Sequence, residues 1–166
     1  MDAPTFPTSL NIDRSLALAG APAASFARLW QSLWVQPYVT AALLELCRLT
    51  LARLHQDDLE LAASNPHVEP GTLPRERRDP VLAGAADKSA AFTASEKAVL
   101  LFAECYGLDP QSIPDPVADE VRACLGEAGL VFLIEALGCI DGRIRTARCL
   151  RDLARFAPAR EDAHVG

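Results

Sequence analysis

The sequence feature that most constrains the fold is an apolar stripe at helical spacing near the N-terminus. Between residues 25 and 36, apolar side chains recur at i, i+3, i+4, i+7 and i+8, at Phe26, Leu29, Trp30, Leu33 and Trp34. This spacing places all of them on one face of a helix. Two tryptophans on such a stripe favour a core or subunit contact over a ligand platform. The chain shows no alternation typical of a strand, so the sequence predicts an all-α fold.

Prolines and glycines divide the chain into segments. Residues 1–22 contain three prolines and a glycine, and predict an irregular N-terminal arm. A single helical domain is predicted over residues 23–157, and a flexible C-terminal tail that includes His164 over residues 158–166. With 166 residues, the chain is long enough for one domain with a sizeable core.

Within the predicted domain, proline positions and capping patterns suggest where the helices begin and end. Pro37 is expected to open a long helix, because proline favours the first helical position. Residues 65–80 hold four prolines and predict a loop, and residues 81–91 predict a short helix. Thr93 and Glu96 have the T-x-x-E form of a capping box, which predicts the start of a further helix.

The last helical stretch is predicted over residues 130–156 and carries most of the late positive charge. Its arginines lie at spacings of two, three, three and four residues: Arg143, Arg145, Arg148, Arg151 and Arg155. This pattern favours a solvated face, or one that forms salt bridges between subunits, over an anion site.

The main candidate for a functional site lies between residues 45 and 60. It holds side chains able to transfer protons or to bind a hard cation: Glu45, His55, Asp57, Asp58 and Glu60. The alternative is structural, because Asp57 and Glu60 also have the D-x-x-E form of a capping box. The spacing demands neither a metal nor a cofactor, and none is predicted.

The same segment resembles the active-site segment of the alkyl hydroperoxidase D-like (AhpD-like) group in the carboxymuconolactone decarboxylase family. In that group a helix beginning Glu-Leu-Val-Arg-Leu leads into a C-x-x-C pair, with a histidine four residues later. Glu45, Leu46, Arg48 and Leu49 match the start of that helix. Residues 92–104 are similar to a second helix of the family, with the pattern F-x-x-x-E-K/R-x-x-L-x-x-A-E. The resemblance implies an AhpD-like helical fold.

The resemblance also implies that the redox residues have been replaced. The two cysteine positions fall on Asp57 and Glu60, and the histidine position falls on Ser64, while the family's proton-relaying acid matches Glu45. His67, three residues further on, is an alternative for the missing histidine. A thiolate is the nucleophile in such redox chemistry, and carboxylates cannot replace it. The resemblance therefore implies a divergent member that lacks the redox pair.

The five cysteines do not restore that pair, because no two have C-x-x-C spacing. They are interpreted as small apolar core residues: Cys47, Cys105, Cys124, Cys139 and Cys149. The alternative is that one of them carries an alkylhydroperoxidase-type antioxidant activity outside the family motif.

Charge and composition argue against some classes of partner and indicate a cellular location. The net charge of −6 and the pI near 5.0 argue against nucleic acid and anionic membranes as partners. The N-terminal residues lack the basic and apolar regions of a secretory signal, and no apolar run is expected to approach the roughly 20 residues that a membrane span requires. With unpatterned cysteines in addition, the predicted location is cytoplasmic.

Three functions are compatible with these observations. The first is a peroxidase or disulfide reductase that uses a cysteine outside the motif. The second is a thiol-independent enzyme acting on a small carbonyl acid, with Glu45 as base and His55, Asp57 or Glu60 as partner acid. The third is a catalytically silent oligomer that binds a small molecule or a protein. The resemblance implies a homo-oligomer, a trimer or hexamer, because members of the family typically assemble in that way.

Overall fold

A computed structural model describes residues 6–156, with side chains described for residues 6–153. Every regular element in that part of the chain is helical, which confirms the all-α prediction. Seven helices occur in the order α1 Asp13–Leu16, α2 Ala21–Leu33, α3 Ala41–Leu54, α4 Asp58–Ala62, α5 Arg75–Leu82, α6 Ala94–Leu108 and α7 Asp115–Phe156. Short 3-10 turns lie at Ala17–Ala19 and Ala86–Lys88. The predicted C-terminal tail and His164 lie outside the described residues.

Helix α3 is the centre of the fold and packs against α4, α5, α6 and α7. Its ten consecutive residues from Leu43 to Ala52 are all buried. Helix α6 approaches it closely at Gly107, where an added Cβ would lie 2.5 Å from Leu54 Cδ1. A helix buried on every side cannot leave its polar groups to water, so each charged residue on α3 requires a partner inside the protein.

The start of α3 differs from the prediction. Thr40 caps the helix, and its Oγ1 accepts a hydrogen bond from the amide of Leu43, so Pro37 does not open it. The reason is the Gln36 side chain, whose Oε1 accepts from the amides of Tyr38 and Val39. These hydrogen bonds hold residues 37–39 as a turn between α2 and α3.

The segment between α4 and α6 has its helical residues in other places than predicted. Helix α5 begins in the expected loop, at Arg75, and only the turn Ala86–Lys88 lies wholly within the helix predicted for residues 81–91. Pro80 lies inside α5, where it removes one hydrogen-bond donor near the end of the helix. Burial of Val81 against the core holds this last turn in place.

The N-terminal arm, predicted to be irregular over residues 1–22, contains helix α1 and a 3-10 turn. Helix α2 also begins before residue 22, where the arm was expected to end. Pro22 is tolerated because it occupies the first turn of α2, where a missing amide hydrogen costs little. Thr8, Ser9 and Ile12 are buried. Part of the segment is therefore integrated into the domain, through contacts described below.

The apolar stripe predicted near α2 is buried at three of its five positions, while Phe26 is half-buried and Leu29 is exposed. Trp30, Leu33 and Trp34 are buried in the core, and the two indole rings meet edge to face with their centroids 5.1 Å apart. Helix α6 begins at the predicted capping box, in which the Thr93 and Glu96 side chains each bond to the other's backbone amide. The capping-box prediction is confirmed, and the stripe prediction is confirmed for three of its five residues.

Helix α7 is bent at Gly126, whose φ of +74° is non-helical. It contains an 18-residue window of mean hydropathy 1.9, so its length and composition are sufficient to cross a membrane. This window contradicts the expectation that no apolar run approaches the length of a membrane span. Inside the protein 39% of this window is buried, including Leu133, Leu137 and Ile140.

Candidate functional site

The centre of the candidate site is a buried arginine between two glutamates. Arg48 Nε and Nη2 donate to the two carboxylate oxygens of Glu45 at 2.8 and 2.7 Å. Arg48 Nη1 donates to Glu60 Oε2 and to the Glu60 carbonyl, both at 2.9 Å. Glu45 and Arg48 lie three residues apart on α3, so they face the same side of the helix. Arg48 therefore joins the two predicted acids, Glu45 and Glu60. From the sequence alone, Arg48 was identified only as a match to the family motif.

The second glutamate also binds the N-terminal segment. The Ser9 hydroxyl donates to Glu60 Oε2 at 2.8 Å, and the Ser9 amide donates to Glu60 Oε1. Both residues are fully buried. Because its carboxylate binds Ser9 and Arg48, Glu60 does not reach back to the helix start. Asp57 does cap α4 by accepting from the Glu60 amide at 3.2 Å, so only that half of the predicted capping box forms.

Two arginines of α7 complete this network, in contrast to the solvated or intersubunit face predicted for them. Arg151 pairs with Asp57 and donates to the Pro7 carbonyl at 2.6 Å. Arg143, fully buried, donates to the Ser9 carbonyl at 2.7 Å and pairs with Asp13 at 2.8 Å. The prediction for these arginines was wrong because their partners, in the N-terminal segment and at Asp57, lie at least 94 residues away in sequence. Arg145 of the same helix is exposed, as predicted, and pairs with Asp141.

A cavity of about 240 Å³ lies beside this network. Its wall includes Glu45, Ser64 and Asn65, so two of the four family positions border the same space. The Asn65 side-chain amide donates to Glu45 Oε2 at 2.6 Å. Both oxygens of Glu45 thus already accept hydrogen bonds from protein groups. In this arrangement the carboxylate binds arginine and asparagine.

The predicted histidines lie apart from the glutamates. His55 Nε2 lies 2.5 Å from Asp141 Oδ1 on α7. His67 stacks on the Trp34 ring, with centroids 5.4 Å apart and nearly parallel planes. Burial lowers the pKa of His67, and the positive charge of Arg143 lowers it further. Asp58 is exposed. Of the residues expected around one pocket, Glu45 and Glu60 therefore meet at Arg48, whereas His55 pairs elsewhere and Asp58 is exposed. Among the described residues no cluster of three metal-ligating side chains forms.

The cysteines divide into buried and exposed groups. Burial raises the pKa of the Cys47 thiol to about 12, and the charge of Glu45 adds to the shift. Burial also raises the pKa of Cys139 to about 11 and shifts that of Cys105 upward. Cys124 and Cys149 are exposed but lie at opposite ends of α7, where a rise of about 1.5 Å per residue keeps them far apart. The core interpretation thus fits Cys47 and Cys139, and not these two.

The thiol environments predict how the native protein reacts with a disulfide reagent. At pH 8 we expect fast reaction at Cys124 and Cys149, and protection of Cys47 and Cys139, because only a thiolate attacks and burial suppresses it. Timed labelling followed by peptide mass spectrometry measures each site separately. The urea-unfolded chain, in which all sites should react, is the control. Rapid labelling of native Cys47 would contradict the assignment.

Several members of the network were missed at the sequence level. Ser9, Asn65 and Asp141 carried no recognisable signal, because each acts through a partner at least 20 residues away in sequence. The arginines of α7, in contrast, did carry a recognisable signal in the sequence. Arg143 and Arg151 are eight residues apart, a spacing that places both on one helical face.

Comparisons of the chain with protein-family models, curated proteins and solved structures give no match. The likeness to the AhpD-like group therefore remains an interpretation of the motifs in residues 45–64 and 92–104.

Proposed function

We propose that the chain is a divergent AhpD-like protein without redox activity, and that it acts as a catalytically silent homo-oligomer that binds a small molecule. The observation that carries the proposal is the engagement of Glu45 and Glu60 by Arg48, with Ser9 bound to the same network. In the family alignment, these glutamates occupy the acid position and one thiol position. Here their carboxylate oxygens accept hydrogen bonds from Arg48 and Ser9.

The acid–base alternative requires a group that can take a proton from a substrate. A general base must lie within hydrogen-bond reach of that proton. Glu45 instead accepts three hydrogen bonds from Arg48 and Asn65, and Asp57 is paired with Arg151. His55 is paired with Asp141, away from the glutamates. These contacts favour the silent oligomer over the enzyme.

The peroxidase alternative is weaker still. Cys47 is the cysteine nearest in sequence to Glu45, and its raised pKa opposes formation of a thiolate. The exposed Cys124 and Cys149 are too widely separated on α7 to form a disulfide within one chain. No described contact supplies either with a resolving thiol.

A Glu45→Gln variant tests the proposal. If Glu45 is structural, we expect the free energy of unfolding to fall by about 2–4 kcal/mol, because Arg48 stays buried with one charged partner removed. Urea denaturation followed by circular dichroism measures this loss. The matched control is Glu127→Gln, which removes an exposed partner of Arg122 and should leave stability unchanged. Unchanged stability in Glu45→Gln would instead favour the acid–base enzyme.

A further inference from the structure

A second cavity lies away from the glutamate network, between α3, α6 and the loop after α5. Its volume is about 390 Å³, within the range of small-molecule sites. Val81, Leu100 and Leu101 form an apolar part of its wall. A site of this size offers an apolar surface to the body of a ligand, and its polar residues determine which ligands bind.

The wall of this cavity holds positively charged residues, which is unusual in a chain of net negative charge. The sequence contains only two lysines, Lys88 and Lys97, and both line this cavity together with Arg53. Neither lysine pairs with a carboxylate in the part of the chain that the structure describes. Three cationic side chains thus line one cavity in a protein whose net charge is −6. Of the two acids in the wall, Glu104 is already paired with Arg53, at 3.1 Å, and Asp87 is exposed.

The arginine is held in place by its surroundings. Arg53 Nη1 lies 3.0 Å from the position that a Cβ would take at Gly84. Gly84 also has a φ of +66°, which disfavours other residues. Arg53 Nε is buried and has no hydrogen-bond partner among the described residues. A buried donor of this kind gains stability when an acceptor reaches it.

We propose that this cavity binds a small organic phosphate, with the phosphate among Lys88, Lys97 and Arg53 and the apolar body against Leu100 and Leu101. Lysine ammonium groups bind phosphate as compact point charges, and the excess of positive charge suits an anion. This inference deepens the proposed function by naming the class of small molecule. It does not depend on the resemblance to the AhpD-like group.

The test uses pyridoxal phosphate as the probe, because its aldehyde condenses with a nearby lysine amine to form an imine and water. Borohydride then transfers hydride to the imine carbon and makes the link permanent. We expect labelling of Lys88 or Lys97 at least about tenfold faster than labelling by pyridoxal, which lacks the phosphate. Phenyl phosphate should protect these lysines, and benzyl alcohol should not. Peptide mass spectrometry locates the label.

Variants separate a built site from ordinary lysine reactivity. Arg53→Gln should slow labelling by pyridoxal phosphate about tenfold, since it removes one cation from the wall. Arg75→Gln, on the neighbouring α5 but outside the wall, should leave the rate unchanged. Lys97→Gln, with folding confirmed by circular dichroism, should slow labelling of Lys88. Equal rates for the two probes, or equal labelling of the chain's α-amine, would overturn the proposal. These outcomes are independent of the stability of Glu45→Gln.

Discussion

Replacing Arg48 with methionine should lower the free energy of unfolding by about 3–5 kcal/mol, because it leaves two buried carboxylates without their cation. Glu45 and Glu60 are almost completely shielded from water, so solvent cannot take over the role of the guanidinium. The loss should appear as a lower urea midpoint with little change in slope, since the surface exposed on unfolding stays similar. Arg48→Lys should recover only part of it, because one ammonium group cannot serve both carboxylates with the same geometry.

An exposed arginine provides the control for this result. Arg122 also pairs with two acids, Asp119 and Glu127, but its side chain is 45% exposed. Arg122→Met should leave stability unchanged within error, because water replaces exposed ion pairs. If Arg48→Met and Arg122→Met lowered the free energy of unfolding equally, burial would not be the reason that the Arg48 network stabilises the protein.

Replacing Arg143 with methionine should release the N-terminal segment as well as lower stability. Arg143 binds the Ser9 carbonyl and Asp13, and its guanidinium lies 4.2 Å from the Trp30 ring centroid. Methionine fills similar space but offers none of these hydrogen bonds, and the Ser9 carbonyl is left unpaired. We expect a loss of about 2–4 kcal/mol. Limited proteolysis should then cut within residues 6–13 faster than in the parent protein.

The control for Arg143 lies two residues further along the same helix. Arg145 also pairs with an aspartate, Asp141, but its side chain is 65% exposed. Arg145→Met should leave both the unfolding midpoint and the cleavage rate near the N-terminus unchanged. If Arg143→Met lowered stability without faster cleavage there, the segment would be held mainly by Glu60 and Arg151.

The features predicted correctly from the sequence depend on residues close together in the chain. The capping box at Thr93 and Glu96 and the cap at Asp57 are formed by groups three residues apart. The buried stripe with Trp30 and Trp34 depends on helical spacing alone. Such patterns can be recognised in a sequence because helix geometry alone determines which nearby residues come into contact.

The incorrect predictions have two physical causes. At the start of α3, the side chain of Gln36 satisfies the amides of residues 38 and 39, and so overrides the preference of Pro37 for a helix start. In the candidate site, the partners are remote: Ser9 meets Glu60 across 51 residues and Arg143 across 134. Burial of those arginines depends on packing that no local pattern encodes.

The contact between Ser9 and Arg143 also constrains the order in which the protein can fold during synthesis. The segment around Ser9 leaves the ribosome before α7, which carries the arginines that hold it. Contacts of such long sequence separation form late, because the chain must first close a large loop. A segment that is made before α7 therefore becomes fixed only after α7 has been made. Until α7 emerges, Glu60 and Ser9 have only each other and Arg48 to bind.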